Sequence, residues 1–183
     1  MAGTILPIGT TNPKTGAVQF DGRRTDGVEF HIPSGSALTS APVGSVVTLQ
    51  EDANGKQFIV LGAAAYSGSD EYGTCHIISV GFLESATQVD SQINQTVGEY
   101  VDGDMAAMVS DINAVAAVPT VSGSNPTAGG TSYITVDGKL SSSSGSAVAF
   151  PGSVWFGTAG QQNTGQLKTG YCYARLSSVK IGA

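Results

Sequence analysis

Few side chains in this 183-residue sequence have the chemistry of a catalyst. The imidazoles are His31 and His76, and the thiols are Cys75 and Cys172. A serine or cysteine nucleophile needs a base within reach to activate it. His76 directly follows Cys75, but neighbours on a strand point to opposite faces and cannot pair. His76 therefore reads as a surface or inter-subunit residue. His31 falls in a Pro- and Gly-punctuated segment, an unusual place for a general base. No Gly-x-Ser-x-Gly elbow occurs.

Metal and phosphate chemistry find no better footing. The scattered Cys and His do not make the ligand quartet of a structural zinc site. Asp102-Gly103-Asp104 looks like a fragment of a calcium loop, but the rest of that loop and its terminal Glu are absent. It reads as a solvated turn leading into a strand, and Asp21-Gly22 and Asp26-Gly27 also read as turns. Ala128-Gly129-Gly130-Thr131 carries the glycines of a phosphate cradle, yet Ser132–Val136 behind it reads as strand and offers no helix N-terminus. A glycosidase needs two carboxylates facing one cleft. The 14 acidic residues do not forbid that, but most occupy turns. A sugar platform would rest on Trp155 and the six Tyr. The chain reads as a non-enzymatic structural or surface-binding protein that uses no metal or cofactor.

The elements behind these residues read as β. Charged residues make up only 12% of the chain, against about 25% in an average domain. The 25 Gly and abundant Ser and Thr fill the gap. Val, Ile and Thr are frequent enough to mark a folded chain, and a hydroxyl-rich surface suits a protein that lives against other protein. A net charge of −6 with only 8 Lys and Arg argues against nucleic acid or an acidic membrane as partner. No apolar run approaches the roughly 18 residues of a membrane span. Met1–Pro7 has neither a basic nor an apolar signal region, so synthesis in a cytosol is expected. The two cysteines sit in apolar stretches and read as buried free thiols, with a long-range disulfide as the alternative.

Length favours one domain. Residues 1–40, interrupted by Pro7, Pro13 and Pro33, read as an extended N-terminal arm with edge strands. Residues 41–183 read as a mainly β domain, a small β-barrel or β-sandwich, because short apolar segments alternate with turn signals. Val43–Leu49 and Phe58–Leu61 flank Asn54-Gly55, the strongest short-range hairpin signal. Cys75–Phe82 reads as a central strand. Met105–Val109 and Ala114–Val118 read as a hairpin about Asp111–Asn113, and Tyr133–Val136 turns at Asp137-Gly138 toward Leu140. Val154–Phe156, the loop Gly157–Gly165 and a last strand Tyr171–Leu176 complete the pattern, with Cys172, Ala174 and Leu176 on one face. Ser85–Val97, with Val89, Ile93 and Val97 every fourth position, fits strand or helix. Its Thr, Ser, Asn and Gln favour strand.

Parts of this pattern resemble tailed-bacteriophage capsid decoration (cement) proteins. The resemblance is carried by Tyr100-Val-Asp-Gly-Asp104, Met105–Val118, Thr127-Ala-Gly-Gly130, Tyr133-Ile-Thr-Val-Asp-Gly-Lys-Leu140 and the closing Ala174-Arg175-Leu176. Val43–Val47 resembles the opening strand of such domains. It covers residues 43–50 and 97–176. It implies a small β-barrel or sandwich, commonly a homotrimer, bound to the major capsid protein on the outside of an icosahedral shell, where it ties capsomers together without a cofactor. An extended arm suits that task, since it can add a strand to a neighbour's open sheet edge. Ile5, Leu6, Ile8, Arg23 and Arg24 are its candidate capsid or subunit contacts, although Arg23-Arg24 also fits a solvated turn.

The competing reading is a receptor- or glycan-binding module of a tail fibre or adhesin. Its aromatics would be Trp155-Phe156 beside the Gly157–Gly165 loop, although aromatics are enriched in buried strands and an inward-facing core pair is the favoured reading of these two. A self-assembling tail-tube subunit is a third reading.

Overall fold

The computed structural model describes residues 24–67, 73–84, 98–124, 127, 129–145, 147–154 and 170–181. Their regular structure is all β: β1 (Arg24–His31), β2 (Ser40–Pro42), β3 (Val46–Glu51), β4 (Gln57–Leu61), β5 (His76–Glu84), β6 (Glu99–Val101), β7 (Met105–Val109), β8 (Val115–Pro119), β9 (Tyr133–Ile134), β10 (Leu140–Ser141), β11 (Val148–Ala149), β12 (Gly152–Val154) and β13 (Tyr171–Leu176). The mainly β expectation holds, in its barrel form.

The β3–β4 hairpin forms where the turn residues place it. Asp52 Oδ1 accepts the N–H groups of Asn54 and Lys56, both at 2.8 Å, and Gly55 takes the positive φ of +82° that the turn demands. From there the ladder runs from Glu51↔Gln57 to Val47↔Leu61. β5 joins the other edge of β3, β7 joins β5, and β1 closes the circle by lying antiparallel to β7 and parallel to β4. The closed order is β1-β4-β3-β5-β7. Register shifts at Asp26/Val28 and at Leu49/Gln50 supply the local bends that closure of a small sheet needs. Phe30, Val47, Leu49, Ile59, Leu61, Leu83, Ala106 and Met108 fill the interior.

Three smaller sheets surround the barrel: β10-β9-β11, β12-β13-β8 and β2-β6. A second core forms where the outer faces of β3, β5 and β7 (Val46, Val80, Phe82, Val109) meet Ala116 and Val118 of β8, Cys172, Ala174 and Leu176 of β13, and Ile134, Leu140 and Phe150. The expected shared face of Cys172, Ala174 and Leu176 is therefore the face turned to the barrel. Because β7 and β8 are covered on both sides, their sequences lose the alternation of a half-buried strand.

Three sequence expectations need correction. β1 lies inside the stretch read as arm, yet it is a stave paired on both sides rather than an edge strand. Asp26-Gly27, read as a turn, is the bulge within that stave. Met105–Val109 and Ala114–Val118 do not form a hairpin: β7 pairs with β1 and β5, whereas β8 pairs with β13. At Asp111–Ala114 the chain leaves the barrel, with Asn113 at φ 73° and its N–H on Leu176 O at 2.8 Å. Asn tolerates this left-handed conformation better than most residues.

Candidate functional site

The outer face of β3 and β4 is covered by the connection that follows β4. Two hydrogen bonds from one buried side chain hold it there, and a third braces that side chain on β3. Gln50 Nε2 donates to Thr48 Oγ1 and to Ala64 O, each at 2.8 Å, and its Oε1 accepts Tyr66 N–H at 2.8 Å. Thr48 Oγ1 donates to Gly62 O at 3.1 Å. Phe58, Val60 and Cys75 pack beneath, with Tyr66 against them.

This arrangement delivers Tyr66 to His31, which projects outward from the end of β1. The two rings stack with centroids 4.6 Å apart and planes 13° from parallel, while Phe58 meets the imidazole at 5.3 Å in a tilted contact. The imidazole lies between two carboxylates: Nδ1 is 3.3 Å from Asp102 Oδ1, and Nε2 is 3.4 Å from Glu29 Oε1. Glu29 also binds Lys56 at 2.9 Å. Both imidazole nitrogens thus face protein carboxylates, so His31 works as a tie between β1 and the β6–β7 turn. This is not the posture of a base aimed at a substrate. Burial first, and then the negative charges of Asp102 and Glu29, push the Tyr66 hydroxyl above its usual range.

Asp102-Gly103-Asp104 forms the expected turn into a strand. Its carboxylates serve the backbone: Asp102 Oδ1 accepts Ile32 N–H at 2.8 Å, and Asp104 Oδ2 accepts Val101 N–H at 2.8 Å. Phe30 fixes the turn again, donating its N–H to Asp104 O and accepting Gly103 N–H, both at 2.8 Å. Beside it opens a pocket of about 340 Å³ lined by Ile32, Pro33, Ala64, Ala65, Tyr66 and Asp102, with Ser34, Gly35, Ser67 and Val136 completing the wall. Among the described residues no group of three or more His, Cys, Asp and Glu is placed to hold a metal ion.

Other sequence candidates scatter. His76 is on the surface, 3.7 Å from Glu51 and 67% exposed, while Cys75 beside it is buried. Cys75 and Cys172 are free thiols, as expected. Gly129-Gly130 forms a turn ahead of β9, with no helix behind it. Arg24 is the first residue of β1, opposite Val109. Ile5, Leu6, Ile8 and Arg23, the Ser85–Val97 stretch and Trp155-Phe156 with the Gly157–Gly165 loop lie outside the described residues. Sequence reading missed the grouping of Glu29, His31, Tyr66 and Asp102. They come from three separate segments, namely β1, the connection after β4 and the β6–β7 turn, and no local spacing joins the three.

Among the described residues no helix is long and apolar enough to cross a membrane. Fold and site together define a mainly β barrel protein whose one clustered histidine is tied down by carboxylates. No protein-family model, curated protein or solved structure matches the chain.

Proposed function

We propose that this chain is a virion structural protein: a capsid decoration (cement) protein that binds the major capsid protein on the outside of an icosahedral shell, as a homotrimer, and stabilises contacts between capsomers. The reading needs neither enzyme activity nor a cofactor. The observation that carries it is the tip Val101–Met105, which belongs to the segment that resembles decoration proteins. Val101 and Met105 are large apolar side chains left 50% and 62% exposed, on either side of a turn held to β1 by Phe30 and Ile32. A contact fixed in advance loses little conformational entropy on docking. A methionine side chain also adapts to irregular partner surfaces.

Two further features support the reading. The barrel is closed, so its staves present no open edge for indiscriminate strand pairing. A surface poor in charge and rich in hydroxyls suits close apposition to other subunits. Three copies acting together multiply a modest single-site affinity. The chain ahead of β1 adds contacts in this proposal, with Ile5, Leu6, Ile8 and Arg23 as candidates.

Co-sedimentation with shells that lack the protein tests this. The wild-type chain pellets with shells in a saturable manner, and a Val101→Asp/Met105→Asp variant stays in the supernatant while keeping its fold. A wild-type chain that never pellets overturns the function. A double variant that pellets equally well removes the tip from it.

A further inference from the structure

We propose that the pocket beside Tyr66 and Asp102 is a cation site that takes a guanidinium or ammonium group carried on an alkyl stem, as in an arginine or lysine side chain. The lining divides into the two halves such a group requires. Ile32, Pro33, Ala64, Ala65 and Val136 give an apolar wall, and Asp102 supplies the charge. A long cationic side chain buries its stem along apolar surface and keeps its head on a carboxylate.

The carboxylate is set for this. Its Oδ1 is fixed by Ile32 N–H at 2.8 Å and by His31 at 3.3 Å. Its Oδ2 is bonded to none of the described residues, and the side chain is 60% exposed. Charge-assisted bonds to such an acceptor are among the stronger hydrogen bonds. Among the described residues no Lys or Arg lines the pocket, and Lys56, the nearby cation, is 2.9 Å from Glu29. The Tyr66 ring adds an aromatic wall, to which cations are attracted. Asp102 and Glu29 both make the local field negative, and the Tyr66 hydroxyl is raised by burial first and then by these two charges.

Other ligand classes fit less well. An anion would meet that field directly. A polyol would place some of its hydroxyls against Ile32, Pro33, Ala64, Ala65 and Val136, and polar groups left unpaired there are costly to bury. One face of Tyr66 is already covered by His31, which leaves less of the ring for a sugar to stack on.

An amide NMR titration of the full chain tests the site, using N-acetylarginine amide as the protein side-chain mimic and cadaverine as the free amine. The expected result is saturable shifts at Ser34, Gly35, Ala64–Ser67 and Asp102, weakened by salt as screening requires. Asp102→Asn keeps the shape and the acceptor for Ile32 N–H, and it should weaken binding by about tenfold or more. Tyr66→Leu should weaken it without altering the salt dependence. Saturation by the arginine mimic alone points to a protein partner, and equal saturation by cadaverine to a free polyamine; either outcome supports a cation site. Absence of shifts with both probes, undiminished binding by Asp102→Asn, or the same shifts from neutral monosaccharides instead would overturn it. If shells are not bound but the titration succeeds, the capsid reading falls and the cation site stands.

Discussion

The side-chain carbonyl of Gln50 accepts the backbone N–H of Tyr66 at 2.8 Å, across sixteen residues of chain. The same carboxamide donates to Ala64 O at 2.8 Å, so one fully buried side chain satisfies two main-chain groups of the segment that carries Tyr66 to His31. Everything proposed for the pocket depends on that segment staying where it is.

Replacing Gln50 by Leu keeps the volume and removes these bonds. Stranding the two backbone groups should cost about 1–3 kcal/mol, while Thr48 Oγ1 keeps its bond to Gly62 O. In urea the midpoint falls with an unchanged slope, and the Tyr66 amide exchanges faster with solvent. An unchanged midpoint contradicts the role given to Gln50.

Gly81 sits in β5 where a strand residue would normally carry a side chain. A methyl there would press on the carbonyl oxygen of Val109 and lie 2.6 Å from Met108 Cε. Gly81→Ala should therefore destabilise the barrel by roughly 1–3 kcal/mol, the usual cost of overpacking. Thermal unfolding reads this directly, and a variant as stable as wild type would show that β5 and β7 are not so closely packed.

How much of this was legible in sequence differs from element to element. Asn54-Gly55 and Asp137-Gly138 name their turns because few residues accept the required backbone, so the β3–β4 and β9–β10 pairings were readable. The face of Cys172, Ala174 and Leu176 was readable from period alone. β1 was not, because Pro and Gly neighbours disguise it and its parallel partner β4 lies beyond β2 and β3. Periodicity identifies a strand without naming its partner, which is why β7 and β8 looked like a hairpin. His31 stands out in the sequence, but its meeting with Asp102 depends on barrel closure, and nothing local to either residue reports that.

A truncation that removes residues 1–40 also removes β1, and with it barrel closure. A truncation ending before Arg24 leaves the stave intact and should keep the cooperative unfolding of the full chain in a denaturant melt. Removal of residues 1–31 should abolish it. Equal stability of the two truncations would contradict a closed barrel.

The thiols should be silent while the chain is folded. Burial alone pushes Cys172 from an ordinary 9.0 up to about 12. Cys75 is also raised, by burial first and then by Asp52. Thiolate is the reactive form. At pH 8 a thiol-specific dye should label neither residue in native protein and both in denaturant. Rapid native labelling of Cys172 would show that the β8–β13 layer does not close over it.

The same shifts set a direction for stability against pH. A thiol or phenol whose folded pKa is raised stays protonated in the fold after the unfolded chain has lost the proton. Stability from this source is fully present below the unfolded value and declines as pH rises through the folded one. For Cys172 the decline runs from 9.0 to about 12, and Tyr66, Tyr171 and Tyr173 add to it above 10.0. The melting temperature should fall above pH 9, and Cys172→Ala should show a shallower fall. A wild-type melting temperature that stays level across that range contradicts the burial of these groups.

Strengthening of a shell, the role proposed for this protein, is read in the temperature at which undecorated shells rupture, with and without saturating protein. The account predicts that bound protein raises that temperature, and that the Val101→Asp/Met105→Asp variant leaves it unchanged. Rupture at the same temperature with the wild-type chain fully bound would contradict it.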